Sequence, residues 1–224
     1  MNHKITLSAI FAVALGLGAY FAIGTSNQVS STSGLSLTAN AQTAAEVDTS
    51  SVIDMTMGQQ DAPITVIEYA SFTCPHCASF HDQVLGRLKA DYIDTGKVKF
   101  IHREVYFDKF GLWAGMVARC AGPIRYFGIT DMIYSEQQEW IGSGTPAEID
   151  KNLRTLGLRA GLDQGQIDAC LKDADKAQAL IATFQTNSKA DDISSTPSFI
   201  IDGEKYSNMS YDEFKAILDK KLGE

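Results

Sequence analysis

Two cysteines separated by two residues, Cys74-Pro75-His76-Cys77, are the side chains in this chain best placed to do chemistry. They follow the apolar run Ile64 to Ala70 and precede a helical pattern. At a strand-to-helix junction the first sulfur sits at a helix N-terminus, where unpaired N–H groups and the helix dipole stabilise a thiolate. Cys74 then reads as the exposed nucleophile of thiol–disulfide exchange, and Cys77, one turn further in, as the resolving thiol. Pro75 falls in the first helical turn, where its missing N–H costs nothing. His76 can bring partial or full positive charge to the Cys74 sulfur and favour the thiolate further. The competing chemistry is a zinc site built from Cys74, Cys77 and His81. No further Cys pair or His stands at a spacing that would close it, and His81 otherwise reads as a solvated helix residue. Ala78 rather than His after the motif argues against covalent haem.

The elements around the motif set its surroundings. Ile64 to Ala70 reads as a strand buried on both faces, with residues 74–94 as the active-site helix and 97–104 as the next strand. Residues 52–57 supply a short additional strand. A helical block follows over about 108–190. Thr145-Pro146-Ala147-Glu148 reads as a capping box, and Asp163 with Gln166 as another helix start. Pro197 to Asp202 is a strand, Lys205-Tyr206 a short one, and Ser210 to Glu213 caps a final amphipathic helix carrying Phe214, Ile217, Leu218 and Leu222 on one face. The order β-α-β, helices, β-β-α is that of an α/β thioredoxin fold with a helical domain inserted in its middle.

The N-terminus indicates the compartment. Lys4 precedes an uncharged stretch, Ile5 to Gly24, that reads as a signal peptide or a retained membrane anchor. Either places the remainder outside the cytoplasm, in the periplasm and with a possible membrane tether through 5–24. Residues 25–53 are rich in Ser, Thr and Ala, hold too little apolar surface to order themselves, and read as a flexible linker. The folded domain then covers 54–222. Composition is ordinary for a globular chain of 224 residues, with 45% apolar and 21% charged residues. A net charge of −8 makes nucleic acid an unsuitable partner, and no phosphate-binding glycine loop or cofactor signature is present, so no cofactor is expected.

Glu68 stands six residues before Cys74 in an otherwise apolar strand. A charge there is costly unless it works or is paired. It reads either as a proton acceptor for Cys77, acting through water, or as a sheet-edge acid paired with Arg or Lys. Cys120 and Cys170, fifty positions apart in the helical block, read as a buried bridge pinning two helices, because an even cysteine count outside the cytoplasm favours pairing. Two free core thiols, or a second redox relay, are the other readings. Trp113, Tyr126, Phe127, Tyr134 and Trp140 read as core of the insert.

Glu68 to Cys77, the inserted helices and Ser195-Thr196-Pro197-Ser198-Phe199 together resemble the DsbA-type thiol–disulfide oxidoreductases, most closely alphaproteobacterial members with a second cysteine pair. The resemblance spans about 57–222. It implies an acidic Cys74, a trait for which this family is itself the standard example. It implies a cis proline at Pro197 stacked against the motif, with Thr196 presenting backbone groups to an extended substrate. The buried acid of the family corresponds to Glu68; where the family often supplies a lysine from the next strand, the register here suggests His102. The implied activity is introduction of disulfides into reduced exported polypeptides, with reoxidation by a quinone-linked membrane protein. A reductase or isomerase on the same fold, and a non-catalytic binding module, are the alternatives.

Overall fold

The structure is a computed structural model and describes residues 47–224. The export segment at 1–24, and the linker as far as residue 46, lie outside the described residues. Among the described residues no helix is long and apolar enough to cross a membrane.

Five strands form one mixed sheet in the order β1-β3-β2-β4-β5. These are β1 (Met55–Met57), β2 (Ile64–Ala70), β3 (Val98–Glu104), β4 (Ser198–Ile201) and β5 (Glu204–Ser207). β2 is central, parallel to β3 and antiparallel to β4. β1 lies antiparallel to β3 at one edge, and β5 lies antiparallel to β4 at the other. The β4–β5 turn is Asp202-Gly203, with φ 46° and 85°. Two left-handed residues in a two-residue loop make the turn whose twist matches the strands it joins, and glycine takes the second position without a Cβ clash.

Alternation along β2 sorts its side chains between two cores. Val66 belongs with Phe80, Phe100, Phe199 and Phe214, under the C-terminal helix α9 (Tyr211–Leu222). Tyr69 and Val105 form a smaller cluster with Ile200, against Phe184 of α8 (Ala174–Ala190). Glu68 falls in the Val66 register and so faces the active-site helix rather than α8.

The helix after the redox motif is interrupted. α1 (Pro75–Phe80) runs into a π-helical stretch, His81–Leu85, then α2 (Gly86–Leu88) and a second π-helical stretch, Lys89–Ile93. The insert comprises α3 (Lys109–Cys120), α4 (Pro123–Ser135), α5 (Gln137–Ile141), α6 (Pro146–Arg159) and α7 (Gln164–Lys172), followed by α8. Its core holds Tyr126, Ile133, Trp140, Ile149 and Leu153, and is continuous with Ala70, Phe72 and Cys77 of the thioredoxin part. The insert therefore forms one wall of the redox site.

Capping follows the sequence at two of three places. Asp163–Gln166 and Ser210–Glu213 close as full capping boxes. Thr145 caps α6 by accepting from Glu148 N, but the Glu148 carboxylate turns back to Ser143, so the expected reciprocal bond is not made. Gly142 and Gly144, both at positive φ, bend the chain there and bring Ser143 within reach.

Cys120 and Cys170 are joined in the structure, linking the end of α3 to α7. Both are half-buried at the margin of the insert, not within its core as the sequence suggested.

Candidate active site

Cys74 is the N-cap of α1, with extended backbone (φ −86°, ψ 118°), and Pro75 opens the helix. Its carbonyl accepts from the N–H groups of Cys77 and Ala78 at 3.1 and 3.2 Å, which fixes the first turn. Cys74 is half-buried and Cys77 fully buried; neither is in a disulfide. The two thiols diverge in acidity. Hydrogen bonding from the Cys77 thiol brings Cys74 down to about 5, against partial burial and with further help from Thr196 and the N–H groups of Cys77 and His76. Burial pushes the Cys77 thiol strongly up, and the negative charges at Cys74 and Glu68 add to the rise. One sulfur is thus a ready thiolate, and the other stays protonated until a base removes its proton.

Thr196-Pro197 is cis, and Cys74 Sγ lies 3.5 Å from the Thr196 carbonyl, to which it donates while protonated. Residues 122 positions apart in the chain thereby meet beside the nucleophile.

Glu68 is wholly buried and sits on the central strand, directly opposite His102 of β3 and Phe199 of β4. The sheet-edge reading with an Arg or Lys partner does not hold. Its nearest polar partner is His81, with Nε2 3.0 Å from Oε2, while His102 Nε2 stands at 3.9 Å. Glu68 Oε1 has no hydrogen-bond partner among the described residues. His102 is sealed: its Nδ1 meets Tyr126 Oη at 2.7 Å, and burial lowers its pKa to about 3, so it stays neutral. Tyr126 in turn donates to Glu104 Oε1 at 2.8 Å, and Glu104 is held by Arg119 Nε and Nη2, each at 2.6 Å. Tyr126 and Tyr134 are insert core, as expected, yet their hydroxyls also reach this polar track.

His81 corrects the sequence reading. It is 8% exposed, not solvated, and its ring lies 4.1 Å from that of Tyr134. His81 stands four positions past buried Cys77, on the same face of the helix, and the π-helical stretch begins there. Among the described residues, the one group of three His, Cys, Asp or Glu side chains able to converge on an ion is Glu68, His81 and His102, not Cys74, Cys77 and His81. The Glu68–His81 bond and the Tyr126 contact to His102 engage these groups in hydrogen bonds.

Two supporting residues escaped the sequence. Gln137 of α5 donates from Nε2 to the carbonyls of Phe72 and Cys74, at 2.8 and 3.0 Å. It thereby clamps the loop that carries the nucleophile. Asp108 caps α3 and accepts from Thr73 Oγ1 at 2.8 Å, tying the same loop to the insert. Asp108 had a detectable local signal as an N-cap; Gln137 had none.

Comparison with known proteins agrees with this arrangement. A family profile described as Thioredoxin matches residues 50–220. A protein of Rickettsia bellii, provisionally described as a protein-disulfide oxidoreductase, is 36% identical over 76% of this chain, and the match spans 65% of the relative's length. Disulfide bond formation protein D of Bacillus subtilis is 26% identical over 74% of this chain and 76% of that protein. The crystal structure of Wolbachia pipientis alpha-DsbA1 superposes with a TM-score of 0.71 at 27% identity, covering 76% of this chain and 91% of that one. The chain belongs to the thioredoxin family, among its DsbA-type members.

Proposed function

We propose that this protein is an extracytoplasmic thiol–disulfide oxidoreductase that introduces disulfides into reduced exported polypeptides. The observation that carries the reading is the asymmetry of the cysteine pair. A half-buried Cys74 held near pKa 5 sits beside a buried Cys77 whose thiol resists ionisation.

In the oxidised enzyme a substrate thiolate attacks Cys74 Sγ. The Cys74–Cys77 bond breaks, Cys77 leaves and takes up a proton, and a mixed disulfide forms. A second substrate thiolate then attacks the substrate sulfur of that mixed disulfide, forming the substrate disulfide and releasing Cys74 as thiolate. Stabilising that thiolate favours the reduced enzyme and so makes the disulfide the stronger oxidant. His76 is placed next to the nucleophile, and Thr196 and Pro197 border it for an extended peptide; Glu68 gives Cys77 its proton as that sulfur leaves and is the proton acceptor for Cys77 when the pair is reoxidised. Turnover requires a membrane reoxidant, for which a quinone-linked protein is the chemical class. Residues 5–24 supply the export signal or tether, and the Cys120–Cys170 bridge serves a structural role.

The test is trapping in the native compartment with Cys77→Ala. Mixed disulfides between Cys74 and exported proteins, with Cys74–Cys77 found oxidised in wild-type cells, support the reading. A pair held reduced in cells would assign the fold to reduction or isomerisation.

A further inference from the structure

We propose that His81 is the outlet of the Cys77 proton, passing it from Glu68 to the solvent of a cleft between the active-site helix and α4. The inference rests on the oxidoreductase reading and adds the route by which the buried thiol exchanges its proton.

When Cys77 closes onto a mixed disulfide at Cys74, its S–H bond must break. The Cys77 sulfur forms a bond to Cys74 Sγ, the partner leaves as thiolate, and one proton must leave a fully buried position. Glu68 is buried beside it, with Oε1 unpartnered among the described residues and able to receive that proton. Glu68 has no surface of its own, so a second group has to connect it to water. Two histidines are in reach, and their surroundings separate them. His102 is 0% exposed, and its Nδ1 contact leads through Tyr126 to the Glu104–Arg119 ion pair. A proton entering that branch meets a buried guanidinium.

His81 is bound to the same Glu68 Oε2 at 3.0 Å and keeps residual exposure. It borders a cleft of about 310 Å³ lined also by Leu85, Lys89, Gly128, Thr130 and Asp131. Thr130 Oγ1 is buried there without a partner among the described residues, so the wall offers a polar group to water. The ionisable groups facing His81 are Glu68 from β2, His102 from β3, Tyr134 and Asp131 from α4, and Lys89 from its own helix. An imidazole suits the step because Nε2 takes a proton from the protonated Glu68 while the other ring nitrogen returns one to the cleft. The proton count is unchanged in the ring, and the carboxylate is regenerated. His81 touches neither sulfur and acts through Glu68, so it is a positioning residue.

The experiment is stopped-flow reaction of the reduced enzyme with oxidised glutathione, which separates capture by Cys74 from closure by Cys77. His81→Gln should leave capture and the Cys74 titration unchanged and slow closure about tenfold or more, below the usual range for a positioned acid or base because the residue works at one remove. Free imidazole, entering the cleft, should restore closure in this variant. Gly128→Leu should slow closure by a smaller factor with His81 intact, since a side chain at Gly128 meets open space and fills the cleft. Closure within twofold of wild type in His81→Gln overturns the proposal. So does equal slowing of both steps, or slowing that imidazole does not relieve, because a merely structural role produces those results. Should His81→Gln fail to fold, wild-type closure in Gly128→Leu overturns it. If the wild-type enzyme does not capture glutathione at Cys74 at all, the oxidoreductase reading itself fails.

Discussion

The molecule holds two pairs of cysteines in opposite settings. Cys74 and Cys77 lie three positions apart where a buried strand meets a helix N-terminus. Cys120 and Cys170 lie fifty positions apart, joined across two helices of the insert. The first pair has a donor-rich helix end, a carbonyl from a distant loop and a buried acid around it. The second pair sits at the margin of an apolar cluster, with the Gln166 carbonyl 3.4 Å from Cys120 Sγ. Reactivity therefore follows what surrounds the sulfur. The short pair is arranged so that one thiolate is cheap and the other costly, and the long pair joins two helices.

Several changes would sharpen or break that contrast, beginning with the largest effect. Cys74→Ser should reduce peptide disulfide formation by at least about 10³-fold, since the thiolate is the nucleophile. The double variant Cys120→Ala/Cys170→Ala should stay within about twofold of wild-type rate, on the same reasoning that only the thiolate reacts. A rate loss comparable to that of Cys74→Ser would make the second pair a redox relay. The same double variant should lose roughly 4 kcal/mol of stability, because opening a loop this long returns chain entropy to the unfolded state. Urea unfolding at matched redox state measures it, and a change under about 1 kcal/mol would remove the structural role.

Gln137→Ala should cost about 1–3 kcal/mol, since the buried Phe72 carbonyl loses its donor and the Cys74 carbonyl loses one of three. Its rate loss should exceed that of the distal double variant, because Cys74 is held by one of those carbonyls. Equal rates in the two would show that the clamp does not position the nucleophile.

The contrast also shows in pH dependence. With Cys74 near 5 when folded, and its ordinary value of 9.0 when unfolded, the unfolded reduced chain binds the extra proton between those values. Reduced-state stability from this group is complete above pH 9.0, declines through that window on acidification, and is gone below about 5. Above 9.0 the raised Cys77 works the other way, because the unfolded thiol ionises and the folded one does not. The reduced-minus-oxidised stability difference should therefore peak near pH 9. A difference that is flat from pH 5 to 9 would mean that Cys74 is not held as a thiolate.

Much of this was readable along the chain. The Cys-Pro-His-Cys spacing, the apolar run before it, the proline at the helix start and the capping residues are local signals, because each acts within a few residues of itself. The order of elements followed from them, and with it the thioredoxin arrangement. Register also brought Glu68 opposite His102, since parallel neighbours of equal length pair residue for residue.

The tertiary structure decided what lies beyond that reach. Glu68 is central rather than at an edge because β4 returns from the far end of the chain to pair with β2. His81 lies four positions past Cys77 on the same helix face, so it follows the buried sulfur inward; it looked solvated because nothing local showed what would cover that face. The ring of Tyr134 in the insert covers it there, and Glu68 of the central strand bonds it. Gln137 became the clamp of the redox loop only because α5 packs beneath it. The sequence by itself determined which sulfur stands at the helix end, because the strand-to-helix junction is a local signal. Which groups supply and remove the protons depended on segments far apart in the chain, and only packing brings those together.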